Sequence, residues 1–221
     1  MKKYLEKVWH VNKNASRKEI ALERLSKQKE TFLAFDEKVE VIIVSDNHGE
    51  KGGLQKVLKQ HPNATHYFHC GDSNLAPDLP MMAPFVAVKG NTDYDQNYLE
   101  QEWRELASGD QLWMTHGHRY DVRSGTQTLV WNVGRERPKT PTHVILYGHT
   151  HIVDVKQESG VLIINPGSIW LPRGGSLIRT YAKLQITPEQ YDVQIIDIND
   201  HSVVKEFQFP REWHPVDQVL K

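Results

Sequence analysis

The chain has almost no cysteine. Cys70 stands alone among 221 residues, so no intrachain disulfide can form and a reducing, cytoplasmic setting is expected. Long apolar runs are missing as well. Nothing approaches the roughly 20 residues that a membrane span requires, and the opening residues carry Lys and Glu in place of a signal-peptide core. No membrane partner is expected. Neither sign of charge is in excess, with 27 Lys and Arg against 28 Asp and Glu for a net charge of −1. A balanced chain offers no strong field to recruit nucleic acid or anionic lipid, so no nucleic-acid partner is expected. Repeats and low-complexity segments are absent. So is a Walker lysine after Gly52-Gly53, which leaves that pair as a helix start instead of a phosphate cradle.

What the chain has in quantity is histidine. Of its twelve, His48, His69, His116, His118, His149 and His151 lie in short segments bearing Gly or Asp. Such clustering fits metal binding better than surface decoration.

The organising stretch is Val39 to Gly49, VEVIIVSDNHG. Its apolar run reads as a strand buried on both faces, which breaks abruptly at Ser45. Asp46 and His48 then stand at the strand's carboxyl end, where open α/β sheets place their chemistry. Before it, Met1 to Lys38 reads as an extension. Capping-box spacing at Ser16 to Glu19 and a thin apolar stripe predict a helix from about Arg17 to Phe35, a docked surface helix or a partner-binding one.

After it, the pattern predicts a helix over Leu54 to His61, a strand over Thr65 to Cys70, and a Pro-bearing loop over Leu75 to Pro84. Strands follow at Phe85 to Val88, Tyr98 to Trp103, Gln111 to Thr115 and Thr142 to Tyr147, with a helix over Ser124 to Glu136. Val161 to Ile164 leads into a turn at Asn165 to Ser168, and Arg173 to Ser176 is a second turn. Ser176 to Ile186, Tyr191 to Ile198 and Val203 to Phe209 complete the strands. The main domain spans 39–210, and 211–221 is an irregular tail.

Five of these strands end in metal-capable groups: Asp46 with His48, Asp72, Asn91, His116, and His149 with His151. Any one of them has a dull account, as a turn or a solvated imidazole. All of them at one edge of a sheet make a metal site. Carboxylate, imidazole and carboxamide without thiolate exclude a closed structural zinc site and suit manganese, iron, zinc or nickel with open positions. Seven ligands are too many for one open ion. They suit two ions about 3.5–4 Å apart bridged by a carboxylate, as in phosphoester hydrolysis.

In this order, Asp46-x-His48, Gly71-Asp72, Gly90-Asn91, His116 and Gly148-His149-x-His151 resemble the calcineurin-like metallophosphoesterase superfamily. SDNHG, GNTD and NPGS in compact spacing resemble its small prokaryotic YfcE-like phosphodiesterase branch, over about Glu40 to Phe209. The resemblance implies a four-layer α-β-β-α sandwich of two mixed sheets, the late strands forming the second sheet, and two divalent ions, Mn²⁺ foremost. It assigns Asp46, His48, Asp72 and His151 to one ion, and Asp72, Asn91, His116 and His149 to the other, with Asp72 bridging. A metal-bridging hydroxide would attack phosphorus while Asn91 helps hold the phosphoryl oxygens. Larger members carry a histidine after the Gly-Asn. Thr92 stands here, so His118 becomes a candidate helper, either for the leaving group or in support of a ligand. His69 is expected to face away from the Gly71 loop.

The substrate implied is a small phosphoester. Three alternatives remain: a phosphomonoesterase, a nuclease, and a non-catalytic protein-binding scaffold of the same fold. The strand-rich half and the N-terminal helix each offer a contact for a homo-oligomer.

Overall fold

The computed structural model describes residues 38–136 and 141–212. The helix expected over Arg17 to Phe35 and the tail past Glu212 lie outside the described residues. In order, the described elements are β1 (Val39–Val44), α1 (Gly52–Gln60), β2 (His66–His69), β3 (Val86–Ala87), β4 (Gln101–Glu105) and β5 (Gln111–Thr115). Then come α2 (Gln127–Glu136), β6 (Val144–Leu146), β7 (Val153–Glu158), β8 (Val161–Pro166), β9 (Thr180–Ile186), β10 (Gln190–Asp197) and β11 (Val203–Pro210).

Two mixed sheets form. One has the order β11-β10-β9-β1-β2-β3 and the other β4-β5-β6-β8-β7. Strands β1, β2 and β3 run parallel, as do β5, β6 and β8. The flanking strands β9, β4 and β7 are antiparallel to their neighbours.

The two-residue period of a strand builds the layers. Val41 and Ile43 face the core between the sheets, with Leu112, Met114, Val144, Leu146, Leu162 and Ile164 opposite. Their alternates, Ile42 and Val44, turn outward onto Leu54 and Val57 of α1. On the other sheet, Trp113, Ile145 and Ile163 turn outward onto Leu129 and Val133 of α2. Both faces of the central strands are thus buried, and the α-β-β-α sandwich expected from the sequence is the fold observed. The start of α1 is held by Glu50, whose carboxylate accepts from the Gly52 and Gly53 N–H groups at 2.7 and 2.8 Å. The glycine pair is a helix start.

Several expectations need correction. The late strands β9, β10 and β11 do not make the second sheet; β9 pairs with β1 and extends the first. Hairpin patterning specifies neighbours in sequence and says nothing of which edge the hairpin joins. The candidate ligands therefore come from two facing sheets, not one edge: β1, β2 and β3 of the first, β5 and β6 of the second. Asn165 and Pro166 belong to β8, paired with Asp154 and Val153. The Tyr98 to Trp103 strand is displaced to Gln101–Glu105, its earlier part touching β3's end only through a Leu99–Val88 bridge. Helix α2 starts three residues late and β9 four, the segments before them being loop.

At the end away from the ligand loops, Arg211 ties the two sheets. It lies nearly buried just past β11, with its guanidinium 2.9 Å from buried Asp110 beside β5. Asp110 also accepts from the Ser108 and Tyr191 hydroxyls, each at 2.5 Å.

Candidate metal centre

The ligand-bearing loops leave the strands side by side and stay hydrogen-bonded to one another. Asp46 and His48 donate their backbone N–H groups to the Gly71 and Asp72 carbonyls at 3.1 and 3.0 Å, and Gly148 donates to the His116 carbonyl at 3.0 Å. Their close approach needs glycine at two places. A Cβ on Gly90 would lie 2.0 Å from Asp72 Oδ1, and one on Gly148 would lie 2.1 Å from Ser45 Oγ. Asp46, His48, Asp72, His149 and His151 all have positive φ, between 46° and 69°. That conformation is disfavoured for side-chain-bearing residues and concentrates at functional sites.

Together the loops gather all seven expected ligands. Asp46 Oδ1 is 3.1 Å from His151 Nε2 and 4.0 Å from His116 Nε2. Asp72 Oδ2 is 3.4 Å from His116 Nε2 and 4.0 Å from His48 Nε2, so it lies between the two halves. Asn91 Oδ1 is 2.8 Å from His149 Nδ1 and 3.2 Å from His116 Nε2. Two sets, Asp46 with His48 and His151, and Asp46 with Asp72 and His116, have ligand atoms all within 4.8 Å of one another.

The far side of each ring decides its tautomer. His116 Nδ1 donates to the Cys70 carbonyl at 2.7 Å, and His151 Nδ1 to the Leu171 carbonyl at 2.6 Å. His48 Nδ1 donates to Asn74 Oδ1 at 3.2 Å, the Asn74 amide nitrogen being engaged by Thr92. Each Nε2 then presents a lone pair to the centre. The Nε2 atoms of His48 and His151 face each other at 3.3 Å. His116 Nε2 faces the oxygens of Asp72 and Asn91. Buried Asp46 Oδ1 accepts no hydrogen bond. Lone pairs and carboxylate oxygens converge on one place, a donor set that suits cations. The residues present fit a pair of divalent metal ions.

The electrostatics say the same. Burial opposes charge on His116, yet its bond to Asp72 and the charges of Asp46 and Asp72 hold its pKa above the ordinary value. His151 is raised likewise against burial, by Asp46. Asp72 is held well below the usual carboxylate range despite burial, by His116 and the Thr92 N–H. Burial and the nearby His116 depress His149, which pairs with no carboxylate among the described residues, to about 4.

Some supporting residues had no distinct signal in the sequence. Asp93 accepts from the Gly90 and Asn74 N–H groups at 2.8 and 2.6 Å, and so ties the β3 loop to the β2 loop. Asn165 donates to the Gly148 carbonyl at 2.8 Å, and Ser168 Oγ to the Asp46 carbonyl at 2.8 Å. These lie within GNTD and NPGS, so the motifs marked the segments though not the roles. His69 corrects an expectation: it faces the Gly71 loop. Its Nδ1 accepts from the Gly71 N–H at 3.2 Å and its Nε2 is 2.8 Å from Asn47 Oδ1. Its neutral ring is a wedge beneath both ligand loops. His118 packs beside His116 and His149, with ring centroids 5.5 and 6.2 Å away, and its buried Nδ1 has no hydrogen bond.

Residues 39–189 match the model of the calcineurin-like phosphoesterase superfamily domain. The chain belongs to that superfamily. It is 38% identical over 134 residues to the probable metallophosphoesterase YsnB of Bacillus subtilis, covering 60% of this chain and 76% of that one. It is 29% identical over 126 residues to the phosphodiesterase YfcE of Escherichia coli K12, covering 54% and 60%. The superfamily member resembles a solved Streptococcus pneumoniae protein described as a predicted phosphoesterase at TM-score 0.72 and 32% identity, over 79% of this chain and 99% of that one. Vps29 of Entamoeba histolytica shares the fold at TM-score 0.59 and 18% identity, over 77% and 98%. Membership makes this chain a metallophosphoesterase. Among the described residues no helix is long and apolar enough to cross a membrane.

Proposed function

We propose that this metallophosphoesterase hydrolyses small phosphodiesters with two divalent metal ions, Mn²⁺ foremost. The observation that carries the reading is the set of imidazole lone pairs, fixed by backbone carbonyls and Asn74, converging on two buried carboxylates. Asp46, His48, Asp72 and His151 would hold one ion, and Asp72, Asn91, His116 and His149 the other. When bound, the pair would supply Lewis-acid stabilisation of charge on the phosphoryl oxygens and would lower the pKa of an attacking water.

The protein's own groups do the rest. Asn91 points its Oδ1 at His149 and His116, which leaves its amide nitrogen to donate to a phosphoryl oxygen. The Cys70 and Leu171 carbonyls keep His116 and His151 in the ligating tautomer. Burial and the neighbouring His116 lower the pKa of His118, which suits it to orient or accept more than to protonate the leaving group. The Cys70 thiol is free and buried, and the reading gives it no role.

Hydrolysis of a chromogenic phosphodiester beside its monoester, in chelated protein with Mn²⁺ restored, tests the reading. Metal-restored turnover favouring the diester is the expected result. Monoester preference would refute the diester assignment, and metal-dependent turnover surviving Asp72→Asn would refute the site.

A further inference from the structure

Seven arginines fall among the described residues, and five have a partner. Arg104 pairs with Glu102 and Arg119 with Glu100. Arg135 and Arg179 lie over the Trp131 and Trp170 rings. Arg211 is paired with Asp110. The guanidiniums of Arg123 and Arg173 have no partner among the described residues.

These two come from different loops, Arg123 between β5 and α2 and Arg173 between β8 and β9, and yet line one cavity of about 440 Å³. The cavity borders the metal centre. Its lining includes Thr150, which stands between His149 and His151. The Arg173 N–H donates to the His151 carbonyl at 3.0 Å. Asp154 is the one acid in the lining, and it is already engaged. Its carboxylate accepts from Tyr147 Oη at 2.6 Å and lies 3.0 Å from Lys156 Nζ. Val122 and Ile152 add apolar wall.

Two like charges facing one cavity repel, and no carboxylate in it is free to offset them. An oxyanion offsets both, and guanidinium forks match a phosphate's oxygens in pairs. We propose that Arg123 and Arg173 form a subsite for a second phosphate, so that the substrate is a phosphoester carrying another phosphate besides the scissile one. Its organic part lies along Val122 and Ile152. Binding energy from the remote phosphate then positions the scissile group over the metal centre. The inference rests on the phosphoesterase reading above and names its substrate class.

Two measurements on the Mn²⁺-loaded full chain test it. One is calorimetric binding of thymidine 3′,5′-bisphosphate against thymidine 5′-monophosphate. The other is the KM for the p-nitrophenyl ester of thymidine 5′-phosphate with and without a 3′-phosphate. The nucleoside serves only as a spacer. The second phosphate is expected to improve both affinity and KM about tenfold or more. In Arg123→Ala and Arg173→Ala the ratio between each pair of ligands falls toward one, and Arg173→Lys keeps part of it. Equal affinities in the unaltered protein, or a ratio that survives both alanine variants, overturns the subsite. Discriminating binding without any ester turnover keeps the subsite and removes the phosphoesterase reading; turnover without discrimination does the reverse.

Discussion

Replacing Gly90 with alanine puts a methyl group in place of a hydrogen at the tightest point of the centre. The new Cβ would lie 2.0 Å from Asp72 Oδ1, 2.2 Å from Asp72 N and 2.7 Å from Asp72 Cγ. Ordinary contact begins near 3.4 Å, so the two loops must part by more than about 1 Å. Neither can yield freely. Asp72 Oδ1 accepts from the Thr92 N–H at 2.8 Å, and the Gly90 N–H is held by Asp93 Oδ2 at 2.8 Å. The displacement therefore moves Asp72 relative to Asn91 and His116, the groups assigned to the same ion. A misplacement of roughly 1 Å costs on the order of a hundredfold in rate, and overpacking costs about 1–3 kcal/mol in stability. The assays are Mn²⁺ binding by calorimetry, kcat/KM on a chromogenic diester, and thermal unfolding. Expected are losses of at least about tenfold in affinity and about a hundredfold in kcat/KM, with folding retained. Gly134→Ala is the control. It lies in α2, and a Cβ there meets nothing within 4 Å, so metal affinity should hold and stability should rise by up to about 1 kcal/mol. A Gly90→Ala protein within threefold of the original in affinity and turnover would show that the close approach is not what positions Asp72.

Other consequences are separable. His116 and His151 have raised pKa values without metal, so they keep protons to higher pH than free imidazole. Metal must displace those protons, so apparent Mn²⁺ affinity should fall as pH drops, with proton release seen as a buffer-dependent heat of binding. Buried His69 is depressed from 6.5 to about 4, chiefly by burial. Below the ordinary value the unfolded chain binds a proton that the folded one refuses, so chelated protein should lose about 3 kcal/mol between pH 6.5 and 4 by urea denaturation. A flat profile there that is unchanged by His69→Gln would refute the assignment. Asp110→Ala strands the Arg211 guanidinium and should cost about 3–5 kcal/mol, read as a lower denaturation midpoint far from the metal centre. His118 is neutral at pH 7 by its lowered pKa. His118→Ala should therefore slow good and poor leaving groups by the same factor; a loss confined to poor ones would make His118 their acid.

Much of the candidate site was legible because it is written in residue types at strand ends. Asp46 with His48, and His149 with His151, carry their chemistry whatever surrounds them. The buried strands that precede them announce themselves as local apolar runs. The burial of β1 on both faces was legible for a similar reason, since its apolar run leaves no face for water, while the four layers were expected from the family resemblance. The missed features are backbone or long-range matters. Any residue at positions 70 and 171 supplies the carbonyls that set the tautomers of His116 and His151, so no side chain advertised them. The contact of His69 with Asn47 spans 22 positions, and the pairing of Arg211 with Asp110 spans 101. Neither leaves a periodic trace.

The sequence by itself therefore determined which groups this protein can offer a metal, their order along the chain and the buried strands that precede them. Those properties follow from side-chain chemistry and from a two-residue period, both local. Only the tertiary structure decided that β9 to β11 join β1, and that the ligands face one another across two sheets. It also decided that Gly90 must lack a side chain and that Arg123 and Arg173 line one cavity beside the centre. Each of these depends on which distant segments come within a few ångströms, and that is settled by packing the whole chain at once.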